Sequence, residues 1–172
     1  MAANFVHEQV SKITLSIEFP GSVPMPIADG SINACLPKRS GKKTSRGTDS
    51  RVFPWGDEFP TNERVTFRRK FNLLGFNALE KIDSMPAGRS PYGIHHMAGN
   101  VWEWVNDWYG DIYYEVSPYA NPTGPDSGIS KVLRGGNWYY KAYYMRTTYR
   151  FNDKPDSFKN WQGFRCANDL NY

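Results

Sequence analysis

Met97-Ala98-Gly99-Asn100-Val101-Trp102-Glu103-Trp104 is the stretch that decides how this chain is read. Gly99-Asn100 is a turn dipeptide, and the apolar residues after it fit two competing periods. Val101, Trp104, Val105 and Trp108 sit at helical spacing, whereas Trp102, Trp104 and Trp108 share the even phase of a strand. Val and Trp favour the pleated conformation and a turn comes immediately before them, so the segment predicts a strand.

Outward from that strand, Val132-Leu133 predicts a second one, and residues 145–151 a third, with Met145, Thr147, Tyr149 and Phe151 in one phase. Arg134-Gly135-Gly136-Asn137-Trp138 follows the second strand, and its two glycines permit backbone geometry that other residues resist. Loops rich in Pro and Gly fill 118–128. Val52-Phe53-Pro54-Trp55-Gly56-Asp57 reads as a surface loop anchored through Phe53 and Trp55. Phe67, Phe71, Leu74 and Phe76 recur at near-helical spacing, but Gly75 weakens a helix and a short irregular turn fits equally well. Near the N-terminus, Ile13-Thr14-Leu15-Ser16-Ile17-Glu18-Phe19 alternates as a half-buried strand does, and Pro20-Gly21 ends it. No internal repeat is visible.

The 172 residues suffice for one domain with a sizeable core. A 16 % aromatic content with 15 Gly and 12 Pro describes a loop-rich fold built on rings and argues against a long helical bundle. The net charge is +4, and the basic residues concentrate at Lys38-Arg39, Lys42-Lys43 and Arg68-Arg69-Lys70. No nucleic-acid module pattern accompanies them, so they read as solvated surface. No apolar run approaches membrane-spanning length. The stretch from Met1 to Lys12 lacks a secretory core, so the chain as written reads as cytoplasmic. Cys35 and Cys166 are the two cysteines, too few for a disulfide scaffold, and a single bridge between them stays open as an alternative.

With Gly163-Phe164-Arg165-Cys166 added, the blocks at 97–104 and 134–138 carry a family likeness. Phe53-Pro54-Trp55-Gly56-Asp57 and Tyr92-Gly93-Ile94 stand ahead of them in order. Together they resemble the formylglycine-generating enzyme family, also called sulfatase-modifying factors, over residues from about Ser45 to Asn168. The resemblance implies an α+β, C-type-lectin-like fold of the sulfatase-modifying-factor kind, with long loops and little regular secondary structure. In that family copper held by two cysteine thiolates oxidises a substrate cysteine to formylglycine, and soft thiolates suit monovalent copper. Here the first copper position aligns with Tyr140, the second falls in a shortened loop, and no cysteine lies between Cys35 and Cys166. The family's Cys166 equivalent is structural. No catalytic residue is therefore assigned, and copper chemistry is not expected.

The family's other metal is calcium. The resemblance places one such site on His96, Gly99, Val101 and Glu103, where imidazole is a poor calcium ligand. Glu103 bonding the amides of a neighbouring loop explains it equally well. A second family site maps to Thr66, Phe67, Leu74 and Phe76, where Leu74 replaces a carboxylate and rules the site out. His95 and His96, adjacent in an extended chain, point to opposite sides and cannot share an ion.

Relatives carry a longer front end with a stretch like Arg-Leu-Pro-Thr-Glu-Ala-Glu-Trp-Glu, where this chain has Cys35-Leu36-Pro37-Lys38-Arg39-Ser40-Gly41-Lys42-Lys43-Thr44. A codon string for Ala-Glu-Trp-Glu-Lys read out of frame gives Arg-Ser-Gly-Lys-Lys. The expectation is a truncated or frameshifted front end, with residues 1–44 an atypical segment and 45–172 an incomplete domain. Residues 37–49 carry no apolar side chain and read as a flexible link, with the packed part beginning near Arg51.

Two functions compete. One is a catalytically silent, lectin-like scaffold that binds a protein or glycan through Trp138, Tyr140, Tyr143 and Tyr144, since rings give contact area at low entropic cost. The other is a non-haem metal-dependent oxidoreductase of the same family. A non-functional remnant is the bland reading.

Overall fold

The computed structural model describes residues 44–69, 78–118 and 122–165. The expected strand at 13–19, the apolar residues Phe71, Leu74 and Phe76, and both cysteines lie outside the described residues. Four strands form one sheet: β1 at Trp102–Trp108, β2 at Lys131–Arg134, β3 at Phe151–Asp153 and β4 at Gln162–Gly163. Their order is β3-β2-β1-β4, with β1 antiparallel to β2, β2 antiparallel to β3, and β1 parallel to β4. A four-residue helix, α1 at Tyr113–Val116, and 3-10 turns at Pro86–Gly88 and Ala142–Met145 interrupt the loops.

β1 resolves the helix-or-strand ambiguity in favour of a strand, and its position explains why both periods looked plausible. It is flanked by strands on both sides, so residues 102–105 are all buried and the apolar set does not alternate. The register pairs Glu103 with Arg134 and Trp104 with Leu133, then slips before Trp108 meets Lys131. That irregularity turns Asn106 outward while Asp107 stays buried.

The core has two centres. Trp102, Trp104 and Leu133 form one, ringed by half-buried Tyr140, Tyr144, Tyr149, Phe151, Trp161 and Phe164. Phe53, Val65, Ala98 and Met145 form the other. The loop at 52–57 is anchored as expected. Phe53 and Gly56 exchange backbone hydrogen bonds of 2.9 and 3.1 Å, and Phe53 stacks on Trp55 at 5.2 Å. Arg68 has φ +51°, which excludes a helix there, and residues 68–69 instead donate to the carbonyls of Tyr140 and Trp138.

Two expectations need correction. The third strand spans residues 151–153 rather than 145–151. The backbone before it is used elsewhere: Thr147 N donates to Val52 O at 2.8 Å and Tyr149 N to Arg146 O at 3.0 Å, so no ladder forms. Met145 and Thr147 are buried all the same. Nor does packing begin at Arg51, because Thr44 and Ser45 already lie buried in a short helical turn. Their small side chains let a stretch without apolar residues tuck into the fold.

Candidate functional site

The three sequence blocks converge at the start of β1. Gly99 N donates to Gly135 O at 2.8 Å, Trp138 N to Asn100 O at 3.0 Å, and Trp102 N to Trp161 O at 2.8 Å. Gly99 has φ +73°, and a Cβ there would lie 2.3 Å from Val65 Cγ2 and 2.6 Å from Thr66 O, so no other residue fits. Two asparagines finish the frame. Asn100 accepts from Glu80 N at 3.0 Å and donates back to Glu80 O at 3.2 Å, imitating a strand partner. Asn137 Oδ1 accepts from the amides of Tyr139 and Tyr140 at 3.0 and 3.1 Å, which bends the chain directly after Gly135-Gly136.

That bend fixes Tyr140. Its ring meets Trp102 edge-on at 6.0 Å, Tyr144 at 4.7 Å and Trp161 at 6.4 Å. Trp102 is fully buried and stacks on Phe151 at 5.2 Å. The rings therefore form a cluster with Trp102 as its floor and Tyr140, Tyr144, Tyr149 and Trp161 half exposed above it. Burial, then the neighbouring phenols, pushes the Tyr149 hydroxyl pKa up, so it stays a hydrogen-bond donor at neutral pH. Two buried donors near this floor, Trp102 Nε1 and Asn137 Nδ2, have no acceptor among the described residues.

Of the predicted binding residues, Tyr143 is 56 % exposed and Tyr140 and Tyr144 are half-buried. Trp138 is different: at 1 % exposure it is core, placed there by the strand-like pairing of 138–140 with 68–69. Tyr139, 61 % exposed and edge-on to Tyr140 at 5.8 Å, takes its place on the surface.

On the other side of β1, Glu103 meets a residue to which the sequence reading gave no role. Arg165, only 2 % exposed, donates Nε to Glu103 Oε2 at 2.6 Å and Nη2 to Oε1. Nη1 also reaches the carbonyl of His95 at 3.2 Å, and Nη2 that of His96 at 3.1 Å. The amide-bonding alternative for Glu103 is thus replaced by a bidentate ion pair. The signal was present in the sequence, as a lone Glu among rings and a lone Arg in the closing block, but 62 positions separate them.

The calcium cage implied by His96, Gly99, Val101 and Glu103 does not suit this arrangement. A guanidinium holds both carboxylate oxygens, and a divalent cation beside it would meet a buried like charge. The His96 ring turns away, with Nε2 2.8 Å from Lys81 O and 3.3 Å from Ser84 Oγ. Burial, with Arg165 and His95 adding to it, lowers the His96 pKa. Nor does Tyr140 suit monovalent copper, because its phenol, packed edge-on against Trp102 and tilted against Tyr144, is not the soft thiolate that ion takes. Among the described residues no cluster of three His, Cys, Asp or Glu side chains forms a metal site.

A small mixed sheet, long loops and a signature turn locked between two glycine blocks define a domain of the C-type-lectin-like class. The chain belongs to the family of the sulfatase-modifying factor enzyme 1-like domain, whose model matches residues 38–170. It is 34 % identical over 132 residues to a formylglycine-generating enzyme of Streptomyces coelicolor, covering 72 % of this chain and 42 % of that one. It is 43 % identical over 115 residues to a serine/threonine-protein kinase pkn1 of Chlamydia pneumoniae, covering 66 % of this chain and 18 % of that one. The chain thus spans less than half the length of these relatives. PvdO from Pseudomonas aeruginosa shares the fold at a TM-score of 0.65 and 24 % identity, over 79 % of this chain and 52 % of that one. Among the described residues no helix is long and apolar enough to cross a membrane.

Proposed function

We propose that this domain is a non-catalytic recognition module that keeps the sulfatase-modifying-factor frame and binds a protein or glycan ligand on its ring cluster. The observation that carries the proposal is Tyr140: at the position aligned with the first copper cysteine, a phenol is packed against Trp102, Tyr144 and Trp161. A phenol is a poor substitute for the soft thiolate that monovalent copper takes, whereas a shelf of half-exposed rings with pendant hydroxyls suits stacking and directional hydrogen bonds. Exposed Tyr139 and Tyr143 extend the shelf, and Arg146, 3.8 Å over the Tyr143 ring, adds positive charge at its edge. The Glu103–Arg165 pair supplies internally what calcium would supply, so the module folds without the ion.

The test runs on the full chain. After copper loading and desalting, metal content and oxygen consumption with a cysteine-containing peptide are measured, and a glycan and peptide array is probed in parallel. The expected outcome is no retained copper, no oxygen uptake, and array binding that Tyr143→Ala and Tyr144→Ala reduce together. Stoichiometric copper with peptide oxidation would overturn the reading. Calcium and chelator are expected to leave the melting midpoint unchanged.

A further inference from the structure

The charge around the ring shelf has one sign. No acidic residue stands between Asp126 and Asp153, a stretch that holds Lys131, Arg134, Lys141, Arg146 and Arg150 together with every tyrosine of the shelf. Asp153, where the run ends, is already paired with Lys159 at 2.5 Å. Lys141 and Arg146 bracket the 3-10 turn that carries Tyr143 and Tyr144, and neither has an anionic partner among the described residues. Lys141 is exposed. The Arg146 guanidinium lies 3.8 Å over the Tyr143 ring and donates Nε to Tyr143 O at 3.2 Å. Its two terminal nitrogens donate to no described residue, so the end of the fork is open.

The backbone beneath the rings, by contrast, is closed. The amides of Tyr139 and Tyr140 go to Asn137 Oδ1, and those of Tyr144 and Tyr149 to Lys141 O and Arg146 O. The carbonyls of Trp138 and Tyr140 accept from the amides of Arg69 and Arg68. An acidic peptide would find no ladder to join here, although strand addition is a common way to hold an extended peptide. What the shelf still offers is ring surface, two cations, and the hydroxyls of Tyr139, Tyr140, Tyr143 and Tyr144, none of which bonds another described residue. We propose that the ligand of this shelf is a carboxylate-bearing polysaccharide of the uronic acid class. Sugar C–H faces lie on the rings and sugar hydroxyls bond the phenols. One carboxylate takes the two terminal N–H groups of Arg146 side by side, a match of two planar forks, and Lys141 meets another at the far end of the turn. This inference rests on the ring shelf being the binding face and adds the charge and chemistry of what binds there.

Titration of the full chain with a short oligogalacturonate, its methyl ester and a poly-glutamate of equal charge tests it, with Trp fluorescence and calorimetry as readouts. The acid form is expected to bind about tenfold more tightly than the ester, and salt should weaken the acid form alone. Arg146→Gln with Lys141→Gln should remove that preference and its salt dependence, whereas Tyr143→Ala should weaken acid and ester alike. Lys141→Gln alone, at an exposed position, serves should the double variant fail to fold, and is expected to lower acid affinity several-fold. Lys81→Gln, an exposed charge on the loop beside His96, should change nothing. Equal binding of acid and ester, lost in Tyr143→Ala, overturns the charge assignment and leaves the shelf standing. Poly-glutamate binding as tight as the acid form, or an equal loss in Lys81→Gln, means bulk attraction or a peptide ligand and overturns the proposal. Silence with all three probes overturns it too, and the array then decides whether the shelf binds anything.

Discussion

Replacing Glu103 by Gln separates the two roles that an acidic residue in this signature can have. In the structure both carboxylate oxygens are bound by Arg165, which is 2 % exposed and has no other anionic partner among its hydrogen bonds. The amide keeps one acceptor oxygen but places an N–H2 against the other guanidinium donor, leaving a buried charge uncompensated. Breaking a buried pair from one side costs about 3–5 kcal/mol. At roughly 2–4 °C per kcal/mol for a chain of this size, the melting midpoint should fall by about 6–20 °C. Arg165→Met alone should cost a similar amount, because it strands the carboxylate instead. The double variant Glu103→Gln, Arg165→Met removes both charges and should recover most of the loss, a coupling read from the double-mutant cycle of urea unfolding energies. Single variants costing under about 1 kcal/mol, or a double variant as damaged as the sum of the singles, would refute the claim that the pair is what the carboxylate serves.

The frame makes two further predictions. Gly99→Ala forces a side chain into a left-handed turn and against Val65 and Thr66 O, so it should destabilise by more than about 1 kcal/mol, measured by urea denaturation beside Gly93→Ala. Gly93 also has positive φ but open space around it, so its loss should be the smaller of the two. His96 is held below its ordinary pKa chiefly by burial, so the unfolded chain takes up its proton first. Stability should therefore be full above about pH 6.5 and decline as the pH falls through the range below it. His96→Gln should flatten that decline in melts collected between pH 7.5 and 5; an unchanged slope would place the titrating group elsewhere.

How much of this was legible in the sequence depends on the distance over which each feature is determined. The turn at Gly99-Asn100, the strand behind it and the Gly135-Gly136 bend are local, set by positive φ and ring content, and they were read correctly. Residues 145–151 were read as a strand because alternation and burial were right, with Met145 and Thr147 inside the fold. What alternation cannot report is where the amide hydrogens go, and here they go to Val52 O and to a local turn at Arg146. Burial of Ser45 and Thr44 was hidden for a related reason: composition scores side chains one by one, whereas a small polar residue is buried when something distant needs its hydroxyl or its lack of bulk.

The same distinction explains why the blocks that identify the fold do not by themselves fix the function. Gly99, Asn100, Asn137 and Arg165 act on backbone or on one another, so they demand the same residues whatever the domain binds. Tyr140 sits at the end of that frame, giving the turn its backbone amide through Asn137 but not its side chain. A position so placed can exchange a metal ligand for a ring without disturbing the blocks that identify the family. The exchange has a consequence for packing, since a phenol is far larger than a thiol and must be received by its neighbours. Tyr144, Phe151 and Trp161 receive it, closing over the floor that Trp102 provides. Tyr140→Cys alone would therefore leave a gap among these rings without a second thiolate to complete a copper pair, so under the proposed non-catalytic reading a gain of copper chemistry would demand repacking as well as ligands.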